Sequence, residues 1–258
     1  MKDYCGQRTA ESRTAAFFKI MKSKLISIIF TAAFLSLAES GLAQGFVNLN
    51  FESATLVAPS PPFYVPFDQA FPGWTGTVGG VQQTLALSNM LYMDTSGISI
   101  INQNFTGFGY PPSFDLLEGN YTAVLQAGLT FGANPHPADT TLSQTALVPI
   151  GTKSLQFESD QWFDQNFQFL VVTLGGQTLS VTPLSAGLNY TLYGADVSAW
   201  AGQMAQLAFT VLAENPHVDN EYISLGAIQF STQSIPEPST LALAALGALF
   251  LGFRRRRR

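Results

Sequence analysis

Cysteine is all but missing: the 258-residue chain contains one, Cys5. That excludes a disulfide framework, a thiolate metal site and a cysteine nucleophile from everything downstream. Histidine is nearly as scarce, with only His136 and His217. Both stand in proline-rich loops, Asn134-Pro135-His136-Pro137 and Asn215-Pro216-His217, and each has an aspartate nearby, Asp139 and Asp219. Only a meeting of the two loops would turn them into a general-base or metal-binding pair; isolated loop histidines are as a rule solvated. H-E-x-x-H, G-x-S-x-G and a phosphate-cradling glycine loop are all absent. Positive charge is the third shortage. Between Gln44 and Ile235 the sole base is Lys153, against thirteen acids, a formal charge of −12 that the whole-chain value of −5 conceals. Such a surface repels phosphates and anionic lipid headgroups, so nucleic acid is not an expected partner.

The bases are gathered at the two ends. Met21-Lys22-Ser23-Lys24 precedes the apolar run Leu25 to Ala38, and Gly41-Leu42-Ala43 follows. A basic start, an apolar stretch and small residues form an export signal, with a signal peptidase expected to cut after Ala43. Residues 1–20 make this leader long. Either Met21 is the true start or the leader is extended; both readings put the mature start at Gln44.

At the other end, Ile235-Pro236-Glu237-Pro238-Ser239 leads into an uncharged segment, Thr240 to Phe253, and then five arginines, Arg254, Arg255, Arg256, Arg257 and Arg258. Prolines cannot continue a strand ladder, so the folded domain should end before them. An arginine block resists translocation and should stay cytoplasmic. The apolar segment is fourteen residues long, about 21 Å of helix against a hydrocarbon core of about 30 Å. Snorkelling arginines and local thinning of the bilayer would allow it to insert. This order of Pro-Glu-Pro, apolar helix and arginine cluster resembles the PEP-CTERM sorting signal of Gram-negative bacteria. The resemblance implies an exosortase-type membrane transpeptidase that cuts near Pro236-Glu237-Pro238. It also implies transit through the inner membrane and delivery to the cell surface or extracellular matrix. A plain C-terminal membrane anchor is the alternative reading of the same residues.

Residues 44–235 read as one all-β domain, long enough for a real core without disulfides. Short apolar stretches alternate with Gly, Pro and Asn clusters. Strands are expected at Phe46 to Phe51, Leu91 to Met93, Tyr121 to Gln126, Leu142 to Val148, Ser154 to Glu158, Phe167 to Leu174, Thr178 to Val181, Asn189 to Gly194, Ala205 to Leu212 and Tyr222 to Phe230. Gly175-Gly176 signals a tight hairpin, and a short helical turn is expected near Val197 to Gly202. Spacing of this kind suggests a two-sheet antiparallel β-sandwich. The Asn48-to-Glu52 opening, Gly73-Trp74-Thr75 and a last strand ending Ile228-Gln229-Phe230 resemble the galactose-binding-like jelly roll of carbohydrate-binding modules. That resemblance implies a structural calcium joining first and last strands, with Glu52 as one ligand. Where the family often carries two aspartates, this chain has Gly226 and Ala227. Asp219, Asn220 and Glu221 on the approach to the strand are the remaining oxygen donors, so the calcium candidates are Glu52, Asp219 and Glu221.

Candidate ligand-binding residues are Trp162, Asp160 and Asp164, in Phe157-Glu158-Ser159-Asp160-Gln161-Trp162-Phe163-Asp164. An aromatic ring beside acids suits a sugar; an ordinary inter-strand loop is the plainer reading. The expectation is an exported, non-enzymatic protein that associates with exopolysaccharide. The alternatives are an extracellular polysaccharide hydrolase using carboxylates near Trp162, and a purely structural surface protein.

Overall fold

Period-two alternation of apolar and polar residues puts successive side chains on opposite faces of a strand, and that pattern builds most of the fold. A computed structural model describes residues 44–56, 63–92, 94–106, 116–160, 169–213 and 222–235. Both expected terminal helices, the sorting residues 236–258, and Trp162, Asp164, Asp219 and Glu221 lie outside the described residues, as does the side chain of Asp160. Among the described residues no helix is long and apolar enough to cross a membrane.

Among the described residues the larger sheet has eight strands. In spatial order they are β1 (Tyr64–Pro66), β4 (Leu85–Ser88), β5 (Gly97–Ile101), β6 (Thr122–Gln126), β16 (Tyr222–Ser231), β10 (Ser154–Asp160), β14 (Thr191–Asp196) and β13 (Thr182–Ala186). The smaller has six, β12 (Gln177–Thr178), β11 (Leu170–Leu174), β15 (Met204–Val211), β9 (Thr140–Leu147), β2 (Thr75–Val78) and β3 (Val81–Gln82). A separate pair joins β7 (Gly128–Leu129) to β8 (Pro137–Ala138). The described helix elements include one turn, α1 (Phe67–Ala70), and a 3-10 turn at Ser198–Trp200 inside the segment expected to be helical.

One apolar cluster draws on alternate residues of both sheets: Ile98, Ile100, Ala123, Leu125, Leu155, Phe157, Ile223 and Leu225 from the larger, Leu142, Val172, Leu174, Leu207 and Phe209 from the smaller. Phe157 on β10 meets Phe209 on β15 edge-on, with ring centroids 5.1 Å apart. The two sheets therefore face each other across a shared core, in the manner of a β-sandwich. Gly76 on β2 is part of this closeness, because a Cβ there would run into Phe67 and Ile98. The hairpin at Gly175-Gly176 forms as expected. Both glycines have positive φ, 59° and 78°, and the turn brings Leu174 opposite Gln177.

Three expectations need correction. The sandwich is not wholly antiparallel: β4 and β5 run parallel, Leu87 beside Ser99. Asn89 pins that pair, accepting from the Asn102 backbone N–H at 2.8 Å and donating to the Asn102 side chain at 3.1 Å. Neither Leu91 nor Tyr92 belongs to a strand. Leu91 instead packs with Ile101, Phe105, Val124 and Tyr222 in a second apolar cluster. Phe46 to Phe51 is not a strand either, since Asn48 and Phe51 take positive φ, 50° and 62°. Side chains replace the ladder there. Val47 donates to Gln144 Oε1 at 2.7 Å and accepts from Gln144 Nε2 at 3.0 Å, while the Trp74 indole donates to the Asn48 carbonyl at 3.1 Å. Burial of Phe51 against Phe71 and Trp74 holds the bend.

Candidate functional site

The outer face of the eight-stranded sheet gathers the polar residues of interest. On β16 the residues opposite Gln156 and Glu158 of β10 are Gln229 and Gly226, so β16 has one extra residue between them. This is a β-bulge, and Ala227 within it has φ of 46°. Gly226 and Ala227, the positions that depart from the calcium-binding pattern, are thus a backbone kink. Leu117 packs over Gly226, close enough that a Cβ would touch it at 3.3 Å. Leu117 belongs to the loop ahead of β6, and that loop roofs the strand surface where Glu158 points outward.

Three residues distant in sequence meet under and beside this loop. Glu158 is only 4% exposed, and its Oε2 has no hydrogen-bond partner. Tyr190, half-buried just before β14, gives its hydroxyl proton to Glu118 Oε1 at 3.1 Å. Asn189 holds the same two segments together by donating to the Leu116 carbonyl at 2.6 Å. Burial and then the charge of Glu118 push the Glu158 carboxyl above its usual range, against the help of the Glu118 backbone N–H and the Tyr190 hydroxyl. The hydrogen bond to Glu118 and the charge of Glu158 likewise raise the Tyr190 phenol. Lys153, the sole base of residues 44–235, is five residues back along the extended chain, roughly 17 Å away.

Glu52 is on the same loop by a different route. Its Oε1 accepts from the backbone N–H groups of Asn120 at 2.7 Å and Tyr121 at 3.0 Å, and its Oε2 from the Asn120 amide at 2.7 Å. Burial raises this carboxyl, but the three donors outweigh it and hold it below the usual range. Gly119 has φ of 99°, and a Cβ there would strike Glu52 Oε1. Both oxygens of Glu52 thus serve N–H donors and latch the first segment to this loop; the other calcium candidates, Asp219 and Glu221, lie outside the described residues. The first segment and the last strand are joined by the Ile228 N–H donating to the Leu49 carbonyl at 3.1 Å and by the Phe46 and Phe230 rings at 4.8 Å.

Of the two histidine loops, the one carrying His217 and Asp219 lies outside the described residues. The exposed His136 ring lies 3.1 Å from Thr130 Oγ1, and Asp139 accepts from the Ala213 N–H at 2.9 Å. Trp74 is buried core, and Trp200 packs against it from the rim. Two members of the carboxylate cluster, Glu118 and Tyr190, carried no sequence signal. Each comes to Glu158 only through pairing between distant strands, and Glu158 itself stood out merely as one acid near Trp162.

No curated protein matches the chain. Among solved structures, the enzymatically active domain of tailspike protein 4 from bacteriophage CBA120 is 13% identical, at a TM-score of 0.32 over 62% of this chain and 19% of that one. The secreted serine protease VesC of Vibrio cholerae is 10% identical, at 0.30 over 67% of this chain and 43% of that one. The K1 cleaved adhesin domain of Lys-gingipain from Porphyromonas gingivalis is 17% identical, at 0.29 over 53% of this chain and 91% of that one. The chain therefore spans about a fifth of the tailspike's length, and TM-scores this low relate neither fold nor activity. The informative match is at the end of the polypeptide: residues 234–258 are a PEP-CTERM protein-sorting motif.

Proposed function

We propose that this is an exported, non-enzymatic protein, handled by an exosortase-type transpeptidase and delivered to the cell surface or extracellular matrix. The observation that carries the reading is the sorting motif at residues 234–258. In this reading the N-terminal leader engages signal peptidase, and the tail holds the chain in the inner membrane until it is cut. The body is a jelly-roll β-sandwich that associates with exopolysaccharide. A surface rich in acids, amides and hydroxyls, with one base, suits a hydrated polysaccharide matrix.

Intact-mass analysis of fractionated cells tests the sorting. A mature form starting at Gln44 and ending near Pro236-Glu237-Pro238 is expected outside the inner membrane. In a strain lacking the transpeptidase the tail should stay attached and the protein should stay in the inner membrane. A cytoplasmic, soluble chain retaining Arg258 would overturn the proposal. Retention of the exported form on native matrix polysaccharide tests the binding, and no retention on any of them removes that part alone.

A further inference from the structure

A buried carboxylate oxygen without a donor is an anomaly in any folded protein, because desolvating a charge requires a partner. Glu158 Oε2 is such an atom. Its protein-derived options are few. The Glu118 backbone N–H helps the carboxyl but leaves Oε2 without a donor, and the Tyr190 hydroxyl has one proton, for which Glu118 competes. The Glu118 carboxylate acts on Glu158 and repels it. What the arrangement lacks is a positive charge, and this domain has almost none of its own.

We propose that Glu158, Glu118 and the Tyr190 hydroxyl oxygen form a binding site for a hard divalent cation, with calcium the best-suited ion. Carboxylate and phenol oxygens are hard donors, and calcium accepts the irregular, water-completed coordination that three protein oxygens leave. Access is graded in the right way. Glu118 is exposed, Tyr190 half-buried and Glu158 buried, so an ion entering from solvent meets Glu118 first and ends against the orphan oxygen. The consequence is structural. The site ties the loop ahead of β6 to β10 and to the segment entering β14, reinforcing the Asn189–Leu116 and Tyr190–Glu118 hydrogen bonds between loop and segment. This site is separate from Glu52, whose oxygens are occupied, and it does not depend on the proposed sorting or carbohydrate binding.

Calcium chloride titrated into the full-length chain in neutral detergent, after stripping with a chelator, tests the site by calorimetry and by thermal melting. The expected result is one saturable binding event that raises Tm. Glu158→Gln and Glu118→Gln should each weaken that event by roughly 10–100-fold, the range usual when a supporting group of a metal site is lost. Glu118 is exposed, so its substitution leaves folding intact if Glu158→Gln does not. No calcium binding by the wild-type chain overturns the proposal. So does binding of unchanged affinity in Glu118→Gln, which would assign the ion to other acids of the chain.

Discussion

The two sheets of the sandwich are buried differently. In the six-stranded sheet β11 keeps strict alternation, with Leu170, Val172 and Leu174 buried and Val171 and Thr173 half-buried. In the eight-stranded sheet all five residues of β6 are buried, as are the first five of β16. The larger sheet is covered on its outer face by the satellite apolar cluster and the loop carrying Leu117 to Tyr121, and the smaller sheet is not covered in this way along β11. A strand buried on both faces cannot reserve one face for water, so any polar side chain there must find a partner in the protein. On β10 that requirement fails at Glu158 Oε2 and at the neighbouring Ser159 hydroxyl. The sheet that has gained a cover is also the sheet that carries the candidate site.

The largest expected effect lies where the sheets meet. Phe157→Ala removes a fully buried ring that touches Phe209 and stacks beside Tyr193 at 5.7 Å. A loss of about 3–5 kcal/mol is expected in denaturant unfolding. If both sheets rely on this contact, the transition should stay single and cooperative as it moves to lower denaturant. Two separate transitions would break the comparison at its root, since they would mean that each sheet is stable alone.

Next comes the cover. Gly119→Ala forces a positive φ on a residue with a Cβ and drives that Cβ into Glu52, for an expected loss of about 1–3 kcal/mol. Glu52→Ala removes the acceptor of the Asn120 and Tyr121 N–H groups, which water can partly replace, for an expected loss of about 0.5–1.5 kcal/mol. The two changes share a contact, so the double substitution should lose less than the sum. Acidity sharpens the test. Glu52 has its folded pKa below the ordinary 4.5, so the unfolded chain binds the proton more readily. Its stabilisation is therefore present above the ordinary value and disappears as pH falls through the folded one. The stability gap between the wild type and Glu52→Gln should narrow over that window. A gap unchanged down to pH 3 would mean that the latch does not depend on charge.

Legibility in the sequence follows the same division. The strands β9, β10, β11, β15 and β16 and the Gly175-Gly176 hairpin could be read because a local pattern, alternation or paired glycines, decides them. Phe46 to Phe51 also alternates, yet it bends, because Gln144, Trp74 and Phe71 reach it from other parts of the chain and supply bonds that a neighbouring strand would otherwise give. The β-bulge at Ala227 could not be read at all. It depends on the register between β16 and β10, which exists only once both strands are paired. The carboxylate cluster was hidden for the same reason, with Glu118, Glu158 and Tyr190 spread over more than seventy positions. The sorting motif is the opposite case. It is linear, and each part acts through a property of its own residues, so it needs no fold to be recognised.

The smallest expected effect is on the smaller sheet's outer face. Thr210 on β15 and Thr141 on β9 stand directly opposite each other, with their hydroxyls hydrogen-bonded at 2.9 Å and half-buried. Thr210→Val keeps the branched shape and removes one hydroxyl. Water can satisfy the Thr141 hydroxyl on a face of this kind, so a loss of about 0.2–1 kcal/mol is expected. The measurement is a denaturant midpoint with unchanged slope. A loss above about 2 kcal/mol would mean that the remaining hydroxyl is left unsatisfied away from water, as a buried polar group would be. In that event both outer faces of the sandwich would be covered, and the contrast between the sheets would be one of degree.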